Sequence, residues 1–341
     1  MHMRKLGVAV LGYGFMGTTH LSAWKLVEDC DVIGVWGRDR KKLDETALRH
    51  GVKPIYELED VIRDNRIDIV DICTPTYTHE ELAVRALEAG KHVIVEKPMA
   101  LSLEAADIMI KASRNTGGKL MVAHVLRFFP EYMKAKELID MGMVGHIASV
   151  RAWRGGPAPE WSPWFLNREM SGGVAVDLAI HDVDYAIWVN GGLPSRVYAK
   201  VENLVHSQHN VEDFALITLK FPTGSIAIIE ANWALPKTYP FTMKLEVDGS
   251  QGVIQLDNQS PTPMRMWTNE SVQSFSPETL PWKPGVHPFP LDPFYRELKH
   301  FAECVREDRK PLTDGEVAKM SLATCLAAVE SSKKGSAVSL A

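Results

Sequence analysis

Cysteine is scarce in this chain of 341 residues. Its four cysteines, Cys30, Cys73, Cys304 and Cys325, form neither a C-x-x-C motif nor a close pair. A disulfide framework and a zinc site both need closer spacing, so the pattern argues against both and indicates reduced thiols. We therefore expect a cytoplasmic protein without a bound metal.

Long hydrophobic runs and an excess of positive charge are also lacking. No stretch approaches the roughly 20 apolar residues of a membrane span. The short run 6–11 follows Arg4 and Lys5 like the start of a signal peptide, but glycines interrupt it and no cleavage site follows. The 38 Lys and Arg are outnumbered by 43 Asp and Glu, which gives a net charge of −5. We expect a protein that binds neither nucleic acid nor membranes.

The first third of the chain alternates apolar runs with helical patterns. The apolar runs that we predict as strands are 6–11, 32–36, 69–73, 93–95 and 120–123, and the helices between them include 40–49, 80–89 and a helix capped by Ser102. This alternation predicts βαβ units in a parallel, doubly wound sheet. Ligands of that class bind outside the carboxyl ends of the strands.

A glycine-rich motif, GYGFMG at 12–17, joins the first predicted strand to the first helix. A bare G-x-G-x-x-G is weak evidence, and a plain glycine turn is the alternative, but this strand-to-helix context is the one that the motif needs. Gly12 permits the tight turn, Gly14 lets a diphosphate approach the backbone, and Gly17 lets helix and strand pack closely. With Phe15 and Met16 at the amino end of the helix, the motif predicts a dinucleotide site.

The end of the second predicted strand bears on the choice between NAD and NADP. An NAD enzyme should carry an acidic residue there to bind the ribose 2′-hydroxyl. This sequence has Gly37 at that point, followed by Arg38. An arginine can receive a 2′-phosphate, so we favour NADP, while Asp39 leaves NAD open.

The alternation stops after residue 124, which we take as the boundary between domains at 1–124 and 125–341. Runs rich in β-formers follow one another from 196 to 268 without helices between them, and two helices are predicted at about 293–307 and 314–334. The second domain is therefore expected to be α+β with an open, mainly antiparallel sheet, and its final helices could pack back on the first domain. An open sheet exposes a face that a second subunit usually covers, so we expect a homodimer or homotetramer.

Two short segments carry charged side chains where chemistry is expected. Glu96, Lys97 and Pro98 directly follow an apolar strand, although a solvated Glu-Lys pair is the plain alternative. Asp177 and His181 lie four residues apart in a predicted helix 174–189 and so should share one face, which Asp184 and Tyr185 would extend. Histidine titrates near neutral pH and a nearby carboxylate can support it, although a helix with incidental charges is equally possible.

These segments together resemble the Gfo/Idh/MocA oxidoreductase family. The resemblance rests on GYGFMG, on Thr74-Pro75 with His79 four residues after the proline, on EKP at 96–98, and on GG-x3-D-x3-H-D-x-D at 172–184. It covers nearly the whole chain in order and spacing. It implies a Rossmann domain followed by an α/β domain, and hydride transfer between NAD(P) and a secondary alcohol of a sugar or cyclitol.

The resemblance also assigns roles to residues. Lys97 would reach the reacting oxygen, His181 would act as acid or base, and Asp177 would hold a neighbouring hydroxyl; which of Lys97 and His181 takes the proton stays open. The further residues implied at the cofactor are Thr74, Pro75, His79, Glu96 and Arg127, and Phe128 is implied near the substrate. Trp153, Arg154 and Trp164 lie on the strand and loop expected to wall the substrate site, although core packing is the commoner role of a tryptophan. Relatives often have Asn where this chain has Val125, so that part of the pocket differs.

Three alternatives accompany this prediction. A glycosidase on the same scaffold would use NAD transiently and return it unchanged, and a non-catalytic regulator would only sense the dinucleotide. The retained set of Lys97, Asp177 and His181 argues against a regulator, because a sensor needs no proton-transfer groups. A metal bound by His79, His124 and His181 is conceivable, but packing beside the cofactor is the simpler role for the first two.

Overall fold

The computed structural model describes residues 4–280 and 290–340. The chain divides into two compact units, Met1–Phe128 with Thr279–Lys319 and Phe129–Glu278 with Met320–Ala341. The division near residue 128 lies close to the predicted boundary after 124. The late helix Asp292–Arg306, which our domain boundaries assign to the second domain, belongs to the first unit.

The first unit contains a six-stranded parallel sheet with the order β3-β2-β1-β4-β5-β6. Its strands are β1 (Leu6–Leu11), β2 (Cys30–Trp36), β3 (Lys53–Ile55), β4 (Ile69–Ile72), β5 (His92–Glu96) and β6 (Leu120–Ala123). Its helices are α1 (Phe15–Trp24), α2 (Arg40–His50), α3 (Leu58–Arg63), α4 (His79–Glu88), α5 (Leu103–Thr116) and, from late in the chain, α10 (Asp292–Arg306). The doubly wound prediction is confirmed.

The register of the central strands brings three predicted segments to one edge of this sheet. Leu11 of β1 pairs with Ile72 of β4, and Ile72 pairs with Val95 of β5. The residues that follow each strand therefore emerge together at the carboxyl edge: the glycine turn, Thr74-Pro75, and EKP. This is the edge at which doubly wound sheets bind ligands.

Helix α10 belongs to the first unit because its apolar face completes that unit's core. Leu298 and Phe301 are fully buried in a cluster that includes Val8, Val10 and Trp24. Ser102 accepts a hydrogen bond of 3.1 Å from the amide of Ala105, as the predicted N-cap of α5 should.

The second unit is built on a nine-stranded mixed sheet with the order β14-β13-β12-β11-β7-β10-β9-β8-β15. Its strands are β7 (Ile147–Gly155), β8 (Arg196–Glu202), β9 (Phe214–Lys220), β10 (Ile226–Asn232), β11 (Thr242–Gly249), β12 (Gly252–Asp257), β13 (Met264–Thr268), β14 (Val272–Phe275) and β15 (Val338–Ser339). Its helices are α6 (Pro130–Asp140), α7 (Arg168–Ser171), α8 (Val174–Asp177), α9 (Ile180–Asn190) and α11 (Gly315–Lys334), which enters this unit at residue 320. All neighbouring strands run antiparallel except β7 and β10. The predicted mainly antiparallel sheet is confirmed.

One face of this second sheet is exposed. Burial alternates along β8, β9 and β10, as expected for strands with one buried face. On the outer face Tyr198, Leu216, Ile226 and Ile228 are each 40–45% exposed although they are large and apolar. Such a face is a candidate interface.

The predicted single helix 174–189 is wrong, because the chain forms α8 and α9 with a break between them. The amide of Ala179 donates to Val174 O, five residues back, and the amide of Asp182 donates to Ala179 O, three back. The regular four-residue ladder is thus interrupted. Asp177 ends α8, His181 lies in the first turn of α9, and the shared face inferred from a continuous helix does not apply.

Within residues 4–280 and 290–340, no helix combines the length and the apolar composition that crossing a membrane requires.

Candidate active site

The glycine turn has the geometry of a diphosphate cradle. Gly12 has a φ of +110°, and a Cβ there would lie 2.6 Å from the carbonyl oxygen of Cys73. A Cβ on Gly17 would lie 2.2 Å from the carbonyl oxygen of Gly12, whereas one on Gly14 would meet nothing within 4 Å. Backbone atoms therefore pack closely against the turn at Gly12 and Gly17, whereas the space beside Gly14 is open. No side chain caps the amino end of α1, the place where phosphate oxygens would bind, so the residues present fit a dinucleotide.

Phe15 and Met16 begin α1 directly after this open position. The Phe15 ring is 50% exposed, and Met16 packs at the edge of the buried core. A large exposed aromatic ring beside an open glycine offers apolar surface to a ligand. Their contacts with a cofactor stay predictions.

Tyr13 shapes the end of β2. A Cβ on Gly37 would lie 2.0 Å from the Tyr13 ring, so the ring fills the place of a side chain at that position. The Tyr13 hydroxyl accepts a 2.9 Å hydrogen bond from the amide of Asp39, and the Asp39 carboxylate accepts 3.2 Å from the amide of Lys42 as the cap of α2. Arg38 is exposed, with its Nη2 3.4 Å from the Tyr77 hydroxyl.

His79 links two of the turns at the carboxyl edge. The side chain is 1% exposed, with Nδ1 3.0 Å from Pro98 O and Nε2 2.9 Å from Thr74 O. Burial lowers the pKa of His79. Both ring nitrogens are engaged by backbone, so His79 supports the two turns, and its direct contact with a cofactor stays a prediction.

Thr74 and Pro75 lead from β4 into α4. Thr74 Oγ1 lies 2.7 Å from Thr78 Oγ1, and Thr78 Oγ1 donates 2.7 Å to Pro75 O. These bonds hold the strand end in a short turn, with backbone of residues 74 and 75 at the same edge as the glycine turn. The position is consistent with the predicted cofactor contacts.

The EKP segment is held by a buried glutamate. Glu96 is 7% exposed, so a solvated Glu-Lys pair is excluded for this residue. Its Oε2 accepts 3.1 Å from the amide of Lys97, and its Oε1 lies 3.2 Å from His20 Nε2. The Lys97-Pro98 peptide bond is cis. Lys97 itself is partly exposed at the carboxyl edge, whereas Glu96 points inward and supports the turn.

Arg127 and Phe128, in a short helical turn after β6, are both nearly buried in the first unit. Arg127 is 3% and Phe128 4% exposed, and Phe128 packs against His300 with ring centres 5.5 Å apart. The packing of Phe128 places its ring in the core cluster of the unit. Its contact with a substrate and that of Arg127 with a cofactor stay predictions.

Trp153 and Arg154 point to opposite faces of the second sheet, as neighbouring residues of a strand do. Trp153 donates 2.8 Å to Glu230 on the exposed face of the sheet. Arg154 points the other way, 3% exposed, and its Nε and Nη2 donate 2.7 and 3.0 Å to the Asp182 carboxylate of α9. This buried ion pair ties Arg154 to α9, and its contact with a substrate stays a prediction.

The remaining predicted residues of the second unit lie near the start of α9 or in the loop before it. Asp177 is 5% exposed and His181 is half-buried. Trp164 stacks on Phe165 with ring centres 3.9 Å apart. Asp184 and Tyr185 do not extend a reactive face, because Asp184 accepts 2.9 Å from Ser321 and Tyr185 donates 3.0 Å to Tyr132 O in the core.

Within the described ranges one set of side chains, His20, Asp71 and Cys73, is compact enough to be considered for a metal. His20 Nδ1 lies 2.9 Å from Asp71 Oδ2 and 3.3 Å from Cys73 Sγ. Ligands of a tetrahedral zinc are separated by about 3.3 Å or more, given metal–nitrogen bonds of about 2.0 Å. The 2.9 Å contact is therefore a hydrogen bond. Sequence analysis missed this cluster, because nothing in the spacing of its residues marks it.

Two family profiles match the chain over most of its length. Residues 6–124 match one described as an oxidoreductase family with an NAD-binding Rossmann fold, and residues 132–255 match the GFO/IDH/MocA C-terminal domain. The chain belongs to the Gfo/Idh/MocA family.

Individual relatives agree with this membership. The scyllo-inositol 2-dehydrogenase (NAD(+)) of Bacillus subtilis is 31% identical, with 97% of this chain and 95% of the relative covered. The myo-inositol 2-dehydrogenase of Thermotoga maritima is 29% identical, with 98% of each covered. The solved aldose-aldose oxidoreductase of Caulobacter crescentus has a TM-score of 0.88 at 26% identity, with 99% of this chain and 100% of that chain covered. This Gfo/Idh/MocA protein is an NAD(P)-dependent oxidoreductase that acts on CH–OH groups.

Proposed function

We propose that this oxidoreductase interconverts a secondary alcohol and a ketone on a sugar, sugar derivative or cyclitol, with NADP preferred over NAD. The observation that carries the proposal is the carboxyl edge of the first sheet, where an open glycine turn follows β1 and Lys97 follows β5, the two strands on either side of β4. The inositol dehydrogenases among the relatives support a polyhydroxylated substrate.

Each proposed catalytic side chain has a distinct task. The Lys97 ammonium would stabilise the alkoxide character that develops on the substrate oxygen. His181 would take the hydroxyl proton in oxidation and return it in reduction, and Asp177 would hold a neighbouring hydroxyl. When bound at the glycine turn, the nicotinamide dinucleotide supplies the hydride acceptor or donor. Lys97 belongs to the first unit, and Asp177 and His181 belong to the second.

The preference for NADP is supported by the end of β2. The Tyr13 ring leaves no room for an acidic side chain at residue 37, and the Asp39 carboxylate is engaged in capping α2. Both features disfavour the binding of a ribose 2′-hydroxyl by a carboxylate at this strand end and so support the preference. Arg38 is exposed beside them and carries the charge that a 2′-phosphate requires.

Arg38→Ala should weaken NADPH binding by about 10- to 100-fold, the equivalent of the roughly 1.5–3 kcal/mol of a charge-assisted hydrogen bond. NADH binding should change by less than about twofold, since it has no 2′-phosphate. Fluorescence titration gives both dissociation constants. Arg49→Ala, at the other end of α2, is the matched control, and an equal loss for both cofactors or tighter NADH binding by the native protein would contradict the assignment.

A turnover screen tests the function itself. The protein is mixed with NADP or NAD and a panel of inositols, aldoses, aldonic acids and polyols, and the absorbance of the reduced cofactor is followed. Steady formation of reduced cofactor with one panel member supports the proposal. Cleavage of an aryl glycoside without net reduction would favour the glycosidase, and tight cofactor binding without any turnover would favour a regulator.

The exposed face of the second sheet is proposed to join subunits into a dimer or tetramer. Its apolar side chains and the long row of strands provide the surface that such contacts bury. Light scattering should give a mass of two or four times 38.0 kDa. The double variant Leu216→Lys, Ile228→Lys should shift it towards 38.0 kDa, whereas a native mass of 38.0 kDa would refute this interface.

We also place the protein in the cytoplasm, on the basis of its thiols. All four cysteines are free, and three are buried. Burial raises the pKa of Cys30 to about 12, which keeps this thiol protonated and unreactive.

A further inference from the structure

A polar cluster lies beneath the EKP turn, inside the first unit. Its members come from four elements of that unit, and the full set is His20 and Trp24 of α1, Asp71 of β4 with Cys73 just after it, Glu96 of β5 and Glu297 of α10. All are nearly or fully buried except Cys73, which is partly exposed. A buried set of this kind is costly to form unless its members are paired, so it calls for an explanation beyond packing.

We infer that His20 is a positioning residue for Lys97 and acts through Glu96. The inference rests on the proposed function, in which Lys97 is catalytic. His20 Nδ1 lies 2.9 Å from Asp71 Oδ2, and His20 Nε2 lies 3.2 Å from Glu96 Oε1. The other oxygen of Glu96 accepts 3.1 Å from the amide of Lys97. An unbroken series of contacts therefore runs from Asp71 to the backbone of Lys97.

The fixed end of this series is Asp71. It lies in the centre of the parallel sheet, and its Oδ2 also accepts 2.7 Å from the indole of Trp24. Because Asp71 of β4 is bonded to both His20 and Trp24 of α1, the His20 ring has little freedom to rotate. Glu96 is thereby held in one orientation, and the first residue after β5 is held with it.

Charges favour the same arrangement. Burial lowers the pKa of His20, but the Asp71 carboxylate beside it more than compensates and leaves the pKa well above its usual value. A charged imidazolium is hydrogen-bonded to Asp71 through Nδ1 and forms an ion pair with Glu96 through Nε2, a contact outside hydrogen-bond geometry. The pKa of Glu297 is raised well above its usual value, first by burial, with Glu96 and Asp71 adding to it. A neutral Glu297 closes the cluster without adding a third negative charge.

The consequence for Lys97 is geometric. A carboxylate that is not held by His20 can rotate away from the Lys97 amide, which frees the backbone that carries the ammonium. A displacement of about 1 Å at a reacting group can cost about 100-fold in rate. His20 therefore controls turnover through placement and does not touch the substrate.

Two variants of similar size separate this role from packing. Asparagine places its amide near the position of imidazole Nδ1, and glutamine places its amide near the position of Nε2. His20→Asn can thus keep the contact with Asp71 and loses that with Glu96, while His20→Gln does the reverse. If His20 only stabilises the fold, its contact with Asp71 is the important one. If His20 positions Lys97, its contact with Glu96 is the important one.

We expect kcat of His20→Asn to fall about 10- to 100-fold and that of His20→Gln to fall less than about threefold. The dissociation constant of NADPH should stay within about twofold in both, and the amide resonance of Lys97 should shift only in His20→Asn. Each is measured with the fastest substrate of the screen. His92→Asn and His92→Gln, at the opposite end of β5, are the matched controls and should retain native kcat.

A slow His20→Gln with a normal His20→Asn, or equal rates for the two, would overturn the inference. Should His20→Asn not fold, Glu96→Asp serves instead, since its shorter side chain cannot reach both His20 and the Lys97 amide. A native kcat in Glu96→Asp would equally overturn it. Lys97→Met distinguishes a failure of the proposed function from a failure of the inference about His20. If Lys97→Met keeps turnover, the proposed function fails. If Lys97→Met is inactive while both His20 variants are equally fast, only the inference about His20 fails.

Discussion

Lys97→Met should lower kcat by about three orders of magnitude, with the dissociation constant of NADPH unchanged within about twofold. Methionine has nearly the length of lysine and no charge, so the variant removes the ammonium and little else. The loss should fall on kcat because charge on the substrate oxygen develops in the transition state. Steady-state kinetics with the fastest substrate of the screen and fluorescence titration of NADPH provide the two measurements.

The control is Lys111→Met, the same substitution at an exposed position of α5, which should keep native kcat and KM. Lys97→Arg adds a second distinction. Arginine keeps the charge but does not release a proton near neutral pH. Partial activity in Lys97→Arg would assign Lys97 a purely electrostatic task, and activity as low as in Lys97→Met would indicate proton transfer. Native turnover in Lys97→Met would remove Lys97 from the chemistry.

The first unit was largely predictable from its sequence, because its strands are apolar runs and its helices alternate with them. The strand Leu6–Leu11 and the strand Leu120–Ala123 begin and end where the pattern places them. The pattern missed β3, which is only three residues long and contains Pro54, a residue that argues against a strand. At the sheet edge, β3 tolerates this proline.

The candidate site was predictable only where a local motif marks it. The glycine turn and EKP follow strands in sequence, so they could be placed at one edge. The cluster around His20 could not, because Asp71, Glu96 and Glu297 meet it only through the strand order and the return of α10. The spacing of these residues along the chain gives no sign that they lie together in the fold.

The second unit shows two limits of the pattern. Trp153 and Arg154 were expected at one site, yet strand parity sends them to opposite faces, and the parity was already visible in the sequence. The break between α8 and α9 was not visible there, since residues 174–189 were predicted as one helix. Because of this break, Asp177 and His181 do not share the face of one helix. The function of His181 is therefore tested by experiment.

His181→Ala should lower kcat for alcohol oxidation by about 100- to 10,000-fold, the usual range for a lost general base. The matched control is His146→Ala, an exposed histidine of the same unit, which should behave like the native protein. A base must be unprotonated to accept the hydroxyl proton. The acid limb of the native kcat/KM profile should therefore disappear in His181→Ala, while NADPH binding stays within about twofold.

Added imidazole tests the role directly, because it can enter the space left by the side chain and accept the proton in its place. We expect the rate of His181→Ala to rise with imidazole concentration and that of Lys97→Met to remain unchanged. This contrast would assign proton transfer to His181 and charge stabilisation to Lys97. If His181→Ala keeps the acid limb, and imidazole has no effect, the proton acceptor is another group. Asp177→Asn would then be measured in the same way, since Asp177 is the other proposed catalytic side chain of the second unit.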